Sequence, residues 1–279
     1  MNVRERFRAG KNFKLREENA DDKPPRKNGN GKGNGNGADV KEEERALTEV
    51  LTDQIAKLQE MLYAQRKHKV LIVLQGMDTS GKDGTIRVLF SRINPMGLRA
   101  VAFKQPTPIE LAHDFLWRVH PHVPVWGEIA IFNRSHYEDV LVTVVQGIID
   151  DKECGRRYQH ILDFERLLAE TGTVIVKVFL LISKDEQRER LLARVQDPEK
   201  QWKFDPNDLA QRQKWDDYMQ AYQRAIAATD TDHAPWYVIP SNSKTHRNLL
   251  VSTLLLEIMK DLKLSLPKFD PELAKIKIE

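Results

Sequence analysis

Residues 70–75 read VLIVLQ and run directly into GMDTSGKDG at residues 76–84, after which the pattern becomes helical. The Gly-x4-Gly-Lys spacing of Gly76, Gly81 and Lys82, between a buried strand and a helix, is typical of a loop that cradles phosphate. Glycines let backbone N–H groups approach oxygen atoms, the helix amino end adds positive potential, and the lysine supplies a point charge. The stretch therefore predicts phosphate binding, with a glycine turn and a solvated lysine as the alternative.

The loop has an unusual position after its lysine, where Asp83 replaces the Ser or Thr that ordinarily binds Mg²⁺. The metal must then be held elsewhere, and Asp78 inside the loop is the nearest candidate. A carboxylate among phosphates repels them unless a divalent cation or a proton intervenes. The alternative is that Asp78 caps the loop's own amides.

We expect Lys82 to be exposed on the loop. The other loop residues expected to contact phosphate or nucleotide are Gly76, Met77, Thr79, Ser80, Gly81, Asp83 and Gly84.

Four more short, β-rich apolar runs follow the first, with helical stretches between them, at residues 98–103, 127–132, 174–182 and 235–240. Continuous apolar character is what strands covered on both faces show. The pattern therefore predicts an α/β fold with a central five-stranded parallel sheet between helical layers, and a functional site at the carboxyl ends of its strands.

The composition limits the class of protein. The chain has 279 residues, 44 Lys and Arg against 41 Asp and Glu, 41% apolar residues and a single cysteine. One cysteine excludes an intramolecular disulfide framework, and neither a signal-peptide pattern nor a long apolar run is visible. We therefore expect a cytoplasmic protein that makes no membrane contact.

The basic excess belongs to the amino-terminal segment. Residues 1–40 hold ten Lys and Arg and six Asp and Glu, and glycines alternate with Asn or Lys up to Gly37. Such a segment is too polar to bury anything, so we predict a flexible tail over residues 1–39. A single domain is predicted over residues 40–270, with a carboxyl-terminal tail at 271–279. The domain opens with an amphipathic helix over residues 40–68, which either packs on its own domain or forms a dimer seam.

Polar residues with phosphate-binding chemistry follow the third strand, in the sequence NRSHYED at residues 133–139. If this strand neighbours the first, Asn133 and Arg134 lie beside the phosphate loop, and a guanidinium suits bidentate contact with phosphate. Glu138 and Asp139 fall on the first turn of the next helix, where carboxylates also simply complement the helix dipole.

A cationic stretch follows the fourth strand. Arg190 and Arg194 lie four residues apart on one helical face, and a Pro-bounded segment with Trp202 and Lys203 comes next. We interpret residues 188–212 as a mobile lid that closes over reacting phosphates. The alternative is a solvated helix face.

Three separated motifs together resemble a known family. GMDTSGKDG at 76–84, FNRSHYEDV at 132–140 and KQWKF at 200–204 with Asp208 are similar to the signature set of the second family of polyphosphate kinases, which are polyphosphate:nucleotide phosphotransferases with a fold similar to thymidylate kinase. The resemblance covers about residues 40 to 270. It implies a P-loop kinase-like three-layer sandwich with a helical lid, and reversible, Mg²⁺-dependent transfer from inorganic polyphosphate to a nucleotide, with Mn²⁺ as an alternative metal.

The resemblance also implies roles for individual residues. It assigns catalysis to Asp78, Lys82, Arg134 and Arg194. Phosphate or nucleotide contacts outside the loop are expected at Asn133, Glu138 and Lys203, and Asn133 and Asp139 are further metal-ligand candidates beside Asp78. Apart from the resemblance, Lys104 just past the second strand is expected to steer the polyanion by its charge, with an ordinary loop lysine as the alternative. Many family members have Asp where Asn133 stands, and an amide coordinates Mg²⁺ more weakly. The HYED sequence at 136–139 is similar to the class three subgroup, which uses both AMP and ADP and so yields ADP and ATP.

Other classes of protein compete with this interpretation. An ATP-dependent nucleotide or small-molecule kinase would use the same loop. A GTPase is disfavoured because no Asn/Thr-Lys-x-Asp guanine-reading element occurs, and specific nucleic-acid binding is disfavoured because only the tail is basic. We expect a homo-oligomer, either a dimer or a tetramer.

Overall fold

The computed structural model of the chain describes residues 2–22, 37–271, 273–276 and 278. The strands are β1 (Lys69–Gln75), β2 (Leu98–Ala102), β3 (Ile129–Asn133), β4 (Thr173–Leu181) and β5 (Trp236–Pro240). The helices are α1 (Val3–Phe7), α2 (Gly37–Gln65), α3 (Lys82–Phe90), α4 (Pro108–Leu111), α5 (Glu138–Val145), α6 (Asp151–Glu170), α7 (Lys184–Gln196), α8 (Asn207–Gln213), α9 (Trp215–Thr229) and α10 (Lys244–Asp261). Over these described residues, no helix has the length and apolar character needed to cross a membrane.

All five predicted strands form one parallel sheet in the order β2-β3-β1-β4-β5. The α/β prediction is thus confirmed. Because β3 lies directly beside β1, with Asn133 in register with Leu74, the polar residues that follow β3 do reach the phosphate loop.

Each face of the sheet is covered by its own apolar cluster. Leu71 and Val73 of β1 point into the cluster formed with α5, α6 and α9, whereas Val70 and Ile72 point into the cluster formed with α2, α3 and α10. This two-sided burial explains the continuous apolar runs, since neither face of a strand meets water. The long α2 packs on α10 of its own domain. Packing of this helix on its own domain is one of the two alternatives that the sequence left open.

The prediction of a flexible tail over residues 1–39 is wrong for residues 2–22. Val3 and Phe7 lie on one face of α1 and are buried, and Ala20 is buried in a short 3-10 helix (Glu17–Asp21). The average composition of residues 1–39 does not reveal these few buried apolar side chains, because the Gly- and Asn-rich stretch dominates that average. That stretch, at residues 23–36, lies outside the described residues.

The docked segment also protects an edge of the sheet. The Ala9 amide donates to the Trp236 carbonyl at 2.9 Å, and Arg8 forms an antiparallel bridge with Tyr237. Exposed edge strands invite pairing with other chains. Residues 8 and 9 therefore cover part of β5. At the other end, the predicted tail at 271–279 is exposed where it is described.

A buried polar network underlies the middle of the sheet. The Lys177 Nζ of β4 donates to Glu165 Oε2 at 2.5 Å and to the Tyr137 hydroxyl at 3.0 Å, and Tyr137 donates to Glu165 Oε1 at 2.8 Å. Burial alone would raise the pKa of Glu165, but Lys177 and His136 outweigh it and lower that pKa. Burial lowers the pKa of Lys177, an effect that the charge of Glu165 opposes. Tyr137, which precedes α5, is held between these two side chains by hydrogen bonds to both.

Candidate active site

The phosphate loop connects β1 to α3, and its shape depends on two glycines. Gly81 has a φ of +105°, and a Cβ there would lie 1.8 Å from Arg247 Nη1. At Gly76, a Cβ would lie 2.8 Å from the Leu180 carbonyl. Only glycine fits both positions, so the loop can turn tightly and present the amino end of α3.

Lys82 is buried, in contrast to the exposed position expected from the sequence. Its ammonium donates to the Gly76 carbonyl at 2.8 Å and to the Met77 carbonyl at 3.3 Å. Burial, with the charge of Arg134 beside it, lowers the pKa of Lys82 to about 8. The lysine curls back into its own loop because the loop's carbonyl groups supply the acceptors. A phosphate bound in the loop would raise the pKa of Lys82 again, because a nearby negative charge favours the ammonium form.

Arg134 joins the phosphate loop to α5 in an ion-pair network. Its Nη2 lies 2.5 Å from Asp78 Oδ1 and its Nη1 lies 3.1 Å from Glu138 Oε2. The charge of Glu138 is the main cause that raises the pKa of Arg134. The backbone of Arg134 has a φ of +62° and its amide donates to the Leu74 carbonyl. The structure therefore brings three predicted site residues into direct contact, and Asp78 bonds to Arg134 rather than to a described loop amide.

Asn133 and Asp83 are also brought together. The Asn133 Nδ2 donates to Asp83 Oδ1 at 2.7 Å. The residue that replaces the usual Ser or Thr is thus tied to the end of β3.

Asp139 is oriented differently from its neighbour Glu138. It forms an ion pair with Arg157 of α6 at 3.8 Å, and burial raises its pKa to about 6 despite that charge. The structure does not bring Asp139 into the Asp78–Arg134–Glu138 network, and its role as a metal ligand stays a prediction.

The predicted lid forms α7, a 3-10 turn (Gln201–Lys203) and α8. Arg194 donates to the Lys203 carbonyl at 3.1 Å and to Asp208 Oδ2 at 3.2 Å. Burial, and then the charge of Asp78, raises the pKa of Asp208 to about 6. Arg194 is therefore held inside the lid by Asp208, a carboxylate whose pKa is affected by the charge of Asp78 in the phosphate loop.

The two remaining predicted lysines lie at the surface. Lys104 is exposed beyond β2, and its carbonyl accepts a hydrogen bond from Arg118. Lys203 is exposed, with its Nζ 4.9 Å from the ring centroid of Trp202. Neither side chain contacts the phosphate loop. A polyanion bound at the loop would therefore have to extend beyond it to contact Lys104 or Lys203.

Two arginines hold the loop from behind: Arg190, which the sequence analysis placed only on the cationic face of the lid, and Arg247, which it missed. Arg190 donates to the Thr79 carbonyl at 2.9 Å, and Arg247 donates to the Ser80 carbonyl at 3.2 Å. Burial and the neighbouring Arg190 lower the pKa of Arg247 to about 10. The spacing of Arg190 from Arg194 was a visible signal. Arg247 had none, because it lies 166 residues beyond Gly81, which it contacts.

The carboxylates at the loop fit a magnesium ion. Within the described part of the chain, no three His, Cys, Asp or Glu side chains form a closed metal cage. Mg²⁺ needs no such cage, since it commonly takes one or two carboxylates with substrate phosphates and water. The charge of Asp78 is one cause of the raised pKa of Asp208, and a bound cation would relieve this repulsion. Asp78 remains the best candidate ligand.

Comparisons with known proteins agree with this geometry. Residues 38–266 match the family described as Polyphosphate kinase 2 (PPK2). The chain is 54% identical over 230 residues to the AMP/ADP-polyphosphate phosphotransferase of Meiothermus ruber, covering 82% of this chain and 86% of that protein. It is 43% identical over 243 residues to the ADP-polyphosphate phosphotransferase of Rhodopseudomonas palustris, covering 83% of this chain and 84% of that protein. The crystal structure of Polyphosphate Kinase 2 from Arthrobacter aurescens TC1 superposes with a TM-score of 0.88 at 42% identity, covering 99% of this chain and 95% of that one.

Proposed function

Because this chain belongs to the polyphosphate kinase 2 family, we propose that it moves a phosphoryl group reversibly between inorganic polyphosphate and AMP or ADP. The observation that carries the proposal is the convergence of Lys82, Arg134 and Asp78 at the carboxyl edge of β1 and β3. Two cations there can bind phosphate oxygens, and a carboxylate there can hold a metal. The name of the Meiothermus ruber relative supports AMP and ADP as acceptors.

The proposed chemistry needs no general base. A terminal phosphate of the acceptor is already an oxygen nucleophile at neutral pH, so catalysis consists of positioning and charge neutralisation. Lys82 and Arg134 neutralise donor and transferring oxygens, while Arg194 adds charge from the lid. Mg²⁺, held by Asp78, would shield the negative charges of donor and acceptor from each other when bound.

The proposal is tested by mixing the protein with polyphosphate, Mg²⁺ and AMP and separating the nucleotides formed. We expect ADP and then ATP. An ATP-dependent kinase is the competing function, and it predicts transfer to AMP when ATP is the donor and none when polyphosphate is the donor. Turnover with each donor at equal phosphate concentration therefore separates the two.

Asp78→Asn should raise the Mg²⁺ concentration needed for half-maximal rate by about tenfold, because one negative ligand is lost. The substitution also weakens the contact with Arg134, which alone would lower the rate without moving the metal titration. Asp185→Asn, at an exposed position on α7, is the matched control. An unshifted metal titration would reject the metal role of Asp78.

Glu138→Asn should lower kcat/KM with AMP more than with ADP, by about 1–2 kcal/mol if one charge-assisted contact is lost. Glu138 holds Arg134 from the α5 side, and a carboxylate there suits the less charged acceptor better than the more charged one. The comparison measures kcat/KM for AMP and ADP in both proteins.

The control for Glu138→Asn is Asp139→Asn, which removes a carboxylate from the same helix turn without touching Arg134. If Glu138 only complements the helix dipole, both variants lose a little stability and the AMP/ADP ratio stays unchanged. That ratio is the deciding quantity, even where both rates fall.

The homo-oligomeric state and the cytoplasmic location stay predictions. Exposed apolar side chains on α2, Leu47 and Val50, offer surface for self-association. Light scattering on the eluting peak of a sizing column measures whether the chain is a monomer, a dimer or a tetramer.

A further inference from the structure

Glu17, in the docked amino-terminal segment, bonds to both ends of the lid. Its Oε1 accepts the Lys184 amide of α7 at 2.8 Å, and its Oε2 accepts the Trp215 Nε1 of α9 at 3.0 Å. Lys184 is the first residue of α7, and Trp215 is the first residue of α9, which follows α8 after the single residue Lys214. One carboxylate thus joins the two points at which the lid leaves and rejoins the domain.

The lid base contains a second link that supports the first. Arg212 near the end of α8 donates to the Lys184 carbonyl at 2.6 Å and to Gln187 Oε1 at 2.9 Å. Gln187 in turn donates to the Asp78 carbonyl of the phosphate loop at 3.2 Å. The first turn of α7 is therefore connected on one side to Glu17 and on the other side to the loop.

Each bond to Glu17 is difficult to replace. The Lys184 amide is one of the helix amino-terminal donors that have no partner within their own helix. Trp215 is 1% exposed, so its indole N–H would be left buried without an acceptor. The position of Glu17 is itself fixed, because the next residues of its segment are anchored by buried Ala20, whose carbonyl accepts the Asn242 amide.

We propose that Glu17 is a positioning residue that clamps the base of the lid and holds α7 and α8, which carry Arg194 and its partner Asp208, in one arrangement beside the phosphate loop. The proposal goes beyond the proposed function in assigning a role in the reaction to the amino-terminal segment, and its kinetic part rests on that function. If the lid adopts its binding-competent conformation only part of the time, the apparent Kd for polyphosphate is the intrinsic Kd divided by the fraction of molecules in that conformation. Loss of the clamp should therefore act on KM for polyphosphate and leave kcat at saturation nearly unchanged.

The test compares Glu17→Ala, Glu17→Gln and the control Glu18→Ala in the full-length protein. Glu18 is exposed, and its ion pair is with Arg16 at 4.0 Å. Trypsin cleavage after Lys200 and Lys203 reports lid opening, and it is measured relative to cleavage elsewhere in the same digest. We expect Glu17→Ala to raise relative lid cleavage and KM for polyphosphate about tenfold each, with kcat within about twofold.

Glu17→Gln separates a clamp from a single anchor. Its amide keeps one acceptor oxygen, so it satisfies Lys184 or Trp215 but not both. A clamp predicts that Gln behaves nearly as Ala does, whereas wild-type cleavage and KM with Gln would overturn the clamp. Equal acceleration of cleavage at all sites would also overturn it, because it would show general loss of stability. Because the cleavage measurement needs no substrate, it stands even if the proposed phosphotransferase activity is not observed.

Discussion

Lys82→Ala should lower the rate of phosphoryl transfer by about a hundredfold or more. Lys82 is the cation enclosed by the phosphate loop, with its Nζ 2.8 Å from the Gly76 carbonyl. Loss of one charged contact in a water-poor site costs about 3–4 kcal/mol of transition-state stabilisation. The measurement is kcat/KM for polyphosphate-dependent formation of ADP from AMP.

Two variants control this result. Lys82→Met keeps most of the aliphatic stem and removes only the charge, so it should be nearly as inactive as Lys82→Ala. Arg87→Ala removes an exposed cation on the same helix, α3, and should keep its activity. Because the Gly76 and Met77 carbonyls lose their donor, thermal unfolding of each variant is measured alongside. An active, folded Lys82→Ala protein contradicts the assignment.

Lys177→Met should lower the free energy of unfolding by about 3–5 kcal/mol, because it leaves Glu165 charged and buried without its cation. Lys177 and Glu165 are both essentially inaccessible to water, at 0% exposure each. The Tyr137 hydroxyl loses the same partner. Urea denaturation followed by tryptophan fluorescence and by circular dichroism measures the effect.

The double variant Lys177→Met with Glu165→Leu tests the reason for that loss. If the cost comes from an unpaired buried charge, removal of both charges should restore much of the stability, since apolar replacements of buried pairs are often neutral. Losses that add in the double variant would instead mean that each side chain acts through separate contacts.

The strands were predictable because their signal is local. Each is a short, continuous apolar run, and residues 70–75 are buried throughout β1, as the sequence of that run requires. The phosphate loop was predictable for the same reason, since Gly76, Gly81 and Lys82 act within a few residues of one another. The position of Arg134 beside the phosphate loop was predictable only on the condition that β3 lies beside β1, and the strand order meets that condition. Its ion pair with Asp78 was not predicted.

The sequence does not show which way a side chain turns. Lys82 is buried rather than exposed as expected, because its ammonium turns back to the Gly76 and Met77 carbonyls of its own loop. Asp139 stays a predicted metal-ligand candidate. Its observed partner is Arg157 of the next helix, α6, which the sequence around Asp139 does not indicate.

The sequence alone determined the α/β architecture, the phosphate loop and the family, because these depend on residue types at short, regular spacings. Only the tertiary structure decided that residues 2–22 dock on β5 and that Glu17 reaches the lid base. The same holds for Arg247, which supports the loop from α10. The physical reason is that a few apolar side chains and one hydrogen-bonding carboxylate are stabilised by partners far along the chain. Local composition contains no information about such partners.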